Sequence, residues 1–324
     1  MKQINSISGS LEPSSDNEIK KKHQHYLEQS TSDNTRRAYR SAIRQFKAWS
    51  GLLPADESGV IKYLIEKADT INPRTLSLHL TALSNWHRYQ NLPDPTNSPT
   101  VRKTLEGIMR YKGTPRKKAR ALTFIEIESL AKQMYKNKDL KSIRDNAIIQ
   151  MGYFGAFRRS EIVQLKIEDI KFQSEGLLIL IHKSKTDQIG EGILKALPRG
   201  ENYNICPVNA LKQWLDLISI ENDFIFRKIN RWGKLGSQPL TPTSINLILK
   251  SRSQECGLDN INEISSHSLR RGLATSAAKM GATFESIKRQ GGWKNDNTVR
   301  EYIEEGCLFE ENASLVLLNE SEKI

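Results

Sequence analysis

The sequence predicts a mainly α protein: a helical N-terminal domain, then a mostly α domain with a small β-sheet. Three observations carry this. Apolar residues recur at helical spacing, as in Tyr39, Ile43 and Phe46. Helix starts are marked by Asn72-Pro73, by Ser98-Pro99 and by the capping box Thr123-Phe124-Ile125-Glu126. One pair of segments, 177–181 and 192–197, flanks a polar loop and reads as a β-hairpin.

Residues 1–18 are polar and rich in Ser and Asn, the composition of a disordered tail. A helical domain is expected over 19–112. Its first helix covers about 17–30. The second begins at Ser32-Asp33, with Tyr39, Ile43 and Phe46 toward the core and Arg37, Arg40, Arg44 and Lys47 on another face. The third, over 57–67, carries Ile61, Leu64 and Ile65. The fourth opens at Asn72-Pro73 and buries Leu76, Leu80 and Leu83; Arg74, Ser77, Thr81, Ser84, Asn85 and Arg88 line another side. The fifth, from Ser98-Pro99, carries Val101, Leu105, Ile108 and Met109. A helix with an apolar stripe and a separate Arg/Ser/Thr/Asn face suits a DNA major groove, where such groups meet phosphates and base edges. The alternative is an ordinary solvated face.

Residues 113–121 form a linker in which Gly113 and Pro115 stop the preceding helix. Its Arg116, Lys117 and Lys118 suit a strap across a DNA backbone. The second domain is expected over 122–306, with helices at 124–135, 139–155, 159–165, 207–218, 241–256, 268–280, 283–290 and 297–304 around the hairpin. Residues 307–324 are expected to form a terminal helix and acidic tail. No repeat is apparent.

Composition limits the function. The chain of 324 residues has a formal charge of +12. Residues 1–122 hold 21 Lys and Arg against 11 Asp and Glu, and residues 123–300 hold 27 against 19. Residues 301–324 reverse the balance, with Lys323 alone against seven Glu. Two basic blocks and an acidic tail suit two bodies facing nucleic acid and a tail facing elsewhere; the alternative is a basic surface kept for solubility. No apolar run is long enough to span a membrane, and Met1 to Ser6 lack the apolar segment of a secretory signal. Cys206, Cys256 and Cys307 lie far apart, which argues against a zinc site or disulfide framework and fits a reducing cytoplasm.

The chemistry-bearing residues lie in the second block. Attack on a phosphodiester spreads negative charge over the transition state, and fixed donors must take it up. Arginine stays protonated and offers a planar fork matched to two phosphate oxygens. Arg158 and Arg270 are the candidates, each with a neighbour, Arg159 or Arg271, pointing about 100° away if the segment is helical. His267 stands three residues before Arg270, on the same face of a helix start, where an anion is favoured and a proton can be exchanged. Tyr302 is a nucleophile that would store the phosphodiester energy as a phosphotyrosine, with no nucleotide cofactor required. Its ordinary pKa near 10 demands a proton acceptor or a strongly positive site. Trp293 offers an indole N–H to a phosphate, or its ring to the core. Lys185 on the hairpin loop is a candidate acid for the leaving 5′-oxygen, with Lys183 a competitor. Glu161, three residues after Arg158, could orient that arginine or the histidine.

The ordered set GAFRRSE at 155–161, KSKT at 183–186, HSLRRG at 267–272 and GGWKNDNTVREYI at 291–303 resembles the tyrosine recombinase (phage integrase) family. Within it the chain resembles the Cre-like members, which carry tryptophan where most have histidine. The resemblance spans most of the second domain and places Arg158, Lys185, His267, Arg270, Trp293 and Tyr302 at the family's catalytic positions. It implies a C-shaped clamp on double-stranded DNA with an inverted-repeat target, a homo-tetramer, a 3′-phosphotyrosine link and a Holliday junction. It implies no metal or ATP. The segment with Leu308, Phe309, Leu315, Val316 and Leu317 resembles a terminal helix that docks on a neighbouring subunit. Two rival readings are a type IB topoisomerase or telomere resolvase, and a DNA-binding regulator without catalysis.

Overall fold

The computed structural model describes residues 14–115, 117–182, 192–218, 223–309 and 312–320. Lys183, Lys185, Arg116 and residues 1–13 lie outside them. As the sequence predicts, the protein is mostly helical with a small sheet. It divides into two compact units, Met1–Arg116 and Lys117–Ile324.

The first unit holds α1 (Ser14–Gln29), α2 (Asp33–Ala48), α3 (Glu57–Lys67), α4 (Pro73–Tyr89) and α5 (Pro99–Lys112). Its starts follow local chemistry: Ser32 caps Thr35, Asp56 caps Gly59 and Asn72 caps Arg74. Phe46, Val60, Tyr63, Leu64, Leu76, Leu80, Leu83 and Val101 form the core. The buried stripe of α3 is therefore Val60, Tyr63 and Leu64, and the expected Ile65 is 57% exposed. It sits one position round the helix from the face that packs on α5.

The second unit is built on α7 (Leu140–Phe154), buried from Arg144 to Tyr153. Around it lie α6 (Phe124–Asn137), α9 (Pro207–Ile218), α10 (Pro242–Glu255) and α11 (Ser266–Lys279). The short α8 (Arg159–Gln164) follows α7, and α12 (Phe284–Gly291), α13 (Asp296–Gly306) and α14 (Ala313–Glu320) follow α11. The expected hairpin is β2 (Gly176–Ile181) against β3 (Ile193–Pro198), in antiparallel register with Leu180 opposite Leu194. It gains a third strand, β1 (Ile170–Phe172), along β2. A second, two-stranded sheet pairs β4 (Arg227–Ile229) with β5 (Leu235–Pro239). β1 and β4, three residues each, are too short for alternation to reveal, and β5 shows no alternation along Leu-Gly-Ser-Gln-Pro. Among the described residues no helix is long and apolar enough to cross a membrane.

Candidate active site

Three pieces of backbone converge on one cleft of about 680 Å³, lined by Arg158, Arg159, His267, Arg270, Trp293 and Tyr302 among others. The turn between α7 and α8 delivers Arg158, the first turn of α11 delivers His267 and Arg270, and the chain from α12 into α13 delivers Trp293 and Tyr302. Five of the six residues singled out as the chemical set thus meet in space. The sixth, Lys185, lies outside the described residues.

Arg158 is the N-cap of α8, with extended backbone (φ −74°, ψ 146°). Its backbone N–H donates to Glu161 Oε2 at 2.8 Å and its Nη1 to Glu161 Oε1 at 2.6 Å. Glu161 is buried, so this carboxylate holds the arginine at both ends. Because Arg158 precedes the helix, the 100° rule does not separate it from Arg159, and both reach the cleft. The rule does hold inside α11. There Arg270 lines the cleft, whereas Arg271 donates to Ala119 O and pairs with Glu305.

Arg270 is 3% exposed. Its Nη1 donates to Ala156 O and its Nη2 to Gly291 O at 3.0 Å, and its guanidinium lies 5.0 Å from the Trp293 ring centre. Burial, then Arg158, lowers its pKa to about 10, which leaves it a cation at neutral pH. Trp293 meets the Tyr302 ring edge-to-face at 5.6 Å. This packing needs Gly291, where a Cβ would stand 1.8 Å from the indole ring.

Tyr302 is 6% exposed, and its hydroxyl stands 3.4 Å from His267 Nε2. Burial raises the phenol above its ordinary pKa of 10.0, outweighing the opposing pull of Arg271 and Arg270. At rest Tyr302 is therefore neutral, and attack needs a proton acceptor. The start of α11 lends its dipole to the cleft, but its first N–H groups are already used: Ser266 donates to Asn246 Oδ1 at 2.8 Å and His267 to Ser265 Oγ at 3.2 Å. The helix bearing Tyr302 is held by Lys118–Glu301 at 2.7 Å, Lys288–Asp296 at 2.7 Å and Arg271–Glu305.

Sequence reasoning missed Lys195. Its ammonium is buried on β3 and donates to Gly155 O and Gln290 O, both at 2.7 Å. Burial, then the nearby Arg270, lowers its pKa to about 7. Strand alternation could have flagged it, because Lys195 shares a face with Leu197, which is 1% exposed.

In the first unit, Arg37, Arg40, Arg44, Lys47 and Asn85 line one groove of about 870 Å³. Arg74 donates to Thr114 O, Thr81 to Ser77 O and Asn85 to Thr81 O. Ser77 is partly buried on α4. Arg88 pairs with Asp94 at 3.4 Å. Ser84 does not join the polar face. It is buried and donates to Asp94 Oδ2 at 2.6 Å.

Residues 120–306, which include every cleft residue named above, match the phage integrase family. The chain belongs to this family of tyrosine recombinases. An integrase/recombinase XerD homologue of Selenomonas ruminantium is 36% identical over 295 residues, 89% of this chain and 86% of the relative. The Cre recombinase of Escherichia phage P1 is 25% identical over 320 residues, 90% of this chain and 89% of the relative. Among solved structures, a lambda integrase dimer bound to a COC′ core site gives a TM-score of 0.59 at 15% identity, covering 88% of this chain and 75% of that one. At that identity the likeness is one of fold. Three of the four ordered motifs, those at 155–161, 267–272 and 291–303, are thus segments that the fold of this tyrosine recombinase gathers round one cleft; the fourth, at 183–186, lies outside the described residues.

Proposed function

We propose that this tyrosine recombinase cuts and rejoins duplex DNA through Tyr302. The observation that carries the reading is the Tyr302 hydroxyl 3.4 Å from His267 Nε2, in the cleft that Arg158 and Arg270 line. His267 accepts the phenolic proton as Oη attacks phosphorus. The bond from phosphorus to the 5′-oxygen breaks, leaving a 3′-phosphotyrosine and a 5′-hydroxyl. Arg158 and Arg270 take up charge on the non-bridging oxygens, and Trp293 adds its indole N–H. By resemblance Lys185 protonates the leaving oxygen. The freed hydroxyl then attacks the link on a second duplex, and a Holliday junction follows.

The partner is double-stranded DNA, with an inverted-repeat target bound by four copies. The groove lined by Arg37, Arg40, Arg44 and Lys47 and the α4 residues Arg74, Ser77, Thr81, Asn85 and Arg88 meet the duplex in the first unit. Exposed Leu308 and Phe309, at 59% and 85%, begin the segment that docks on a neighbouring copy. A nicked duplex carrying the target site, sought as an inverted repeat in the DNA flanking the gene, tests the reading. A covalent protein–DNA band on a denaturing gel, followed by exchange between two such sites, is expected. Relaxation of supercoils without exchange favours a topoisomerase, and no band favours a regulator.

The strap has its own test. Neutralising Arg116 and Lys117 together is expected to weaken DNA binding; Lys118 is left in place because it pairs with Glu301 at 2.7 Å. The plot of log affinity against log salt should flatten by about 0.9 for each phosphate the strap no longer neutralises. An unchanged slope removes the strap from the interface.

A further inference from the structure

Three segments of backbone meet behind the cleft: the turn Phe154, Gly155, Ala156; the end of α12 at Gln290 and Gly291; and β3 at Lys195 and Ala196. Lys195 Nζ joins Gly155 O to Gln290 O, with both bonds at 2.7 Å. Arg270 joins the next residue of each turn, Ala156 O to Gly291 O. The Gln290 side chain closes the third side, donating to Phe154 O at 2.8 Å and Ala196 O at 3.3 Å. Two basic side chains therefore bridge the same two turns, one residue apart.

The chemistry leaves from these turns. Arg158 stands two residues past Ala156, and Trp293 two residues past Gly291. Ala156 has φ of +45°, a left-handed conformation costing an L residue about 1–2 kcal/mol, so the turn needs support from its surroundings. Lys195 does not line the cleft. It is 7% exposed, with its ammonium 5.0 Å from the Phe157 ring centre.

We propose that Lys195 is a positioning residue for strand cleavage. It fixes the spacing between the turn that presents Arg158 and the turn that presents Trp293. By sharing that load it leaves three of the five Arg270 N–H donors for the phosphate. The brace survives a change of protonation, because a neutral amine still carries two N–H groups. This inference rests on the reading of the cleft as the phosphate site.

The test uses the full chain and a nicked suicide duplex. Lys195→Met keeps the stem and removes both donors. Single-turnover cleavage at saturating protein is expected to slow by roughly 10- to 100-fold, the cost of misplacing reacting groups by up to an ångström. Affinity for the same duplex, and its salt slope, are expected to hold within about twofold, because Lys195 meets no DNA. Leu197→Val weakens the same face of β3 without touching a donor. It is expected to keep the wild-type rate per folded molecule. Equal slowing in both variants would reduce Lys195 to packing and overturn the proposal. Should Lys195→Met not fold, Lys195→Gln replaces it. Its stem is one bond shorter and cannot span both carbonyls, so a wild-type rate there overturns the proposal too. If the wild-type chain itself forms no adduct, the reading of the cleft fails first. Adduct from wild type with an undiminished Lys195→Met rate defeats the positioning role alone.

Discussion

Tyr302→Phe is expected to bind its target duplex with unchanged affinity and to form no covalent adduct. The substitution removes one oxygen and keeps the ring, so the edge-to-face packing on Trp293 at 5.6 Å survives. No charge that meets DNA is altered, and the salt dependence of binding stays as it was. The variant lacks the hydroxyl proposed as nucleophile, the one beside His267 Nε2. A denaturing gel reads the adduct and a gel shift reads binding. An adduct that persists in Tyr302→Phe would move the nucleophile elsewhere. A loss of binding equal to the loss of adduct would make Tyr302 a scaffold.

Arg270→Gln is expected to lower the cleavage rate by at least 10²- to 10³-fold, roughly the range for removing one fixed donor from a developing oxyanion. Its effect should exceed that of Arg158→Gln, for a reason visible in the hydrogen bonds. Arg158 is tied to Glu161 within its own short helix, whereas Arg270 also braces Ala156 O and Gly291 O. Losing it leaves buried carbonyls short of a donor, at about 1–3 kcal/mol of stability. The guanidinium pKa of about 10 keeps the wild-type rate free of any Arg270 titration below about pH 9. Thermal unfolding with single-turnover cleavage checks both halves. Equal effects of the two substitutions on rate and stability would show that Arg270 carries no bracing load.

Local signals in the sequence were informative and distant ones were not. Thr123 and Glu126 form the expected capping box, because its atoms are three residues apart. Asn72-Pro73 opens α4 for the same reason. The cleft residues were readable because their chemistry is specific to type and order. Lys195 was missed because a single lysine ordinarily points to solvent, and only the partners of β3 turn it inward. β1 and β4 are three-residue strands too short to show a period, and β5 carries no apolar alternation, so all three depend on pairing. The Lys118–Glu301 pair joins residues 183 positions apart, for which no local pattern exists. Ser84 was misplaced because a helical wheel cannot show that Asp94 folds back over one edge of α4.

Helix α13 carries Tyr302, the proposed nucleophile, and also Asp296, Glu301, Glu304 and Glu305. A polyanion approaching such an element would ordinarily be pushed away. Lys288, Lys118 and Arg271, drawn from three other segments, act as built-in counterions for three of those carboxylates. On the proposed reading, the protein thus insulates its own acidity where DNA would come nearest, and the tyrosine would arrive on a carrier whose repulsion has already been spent.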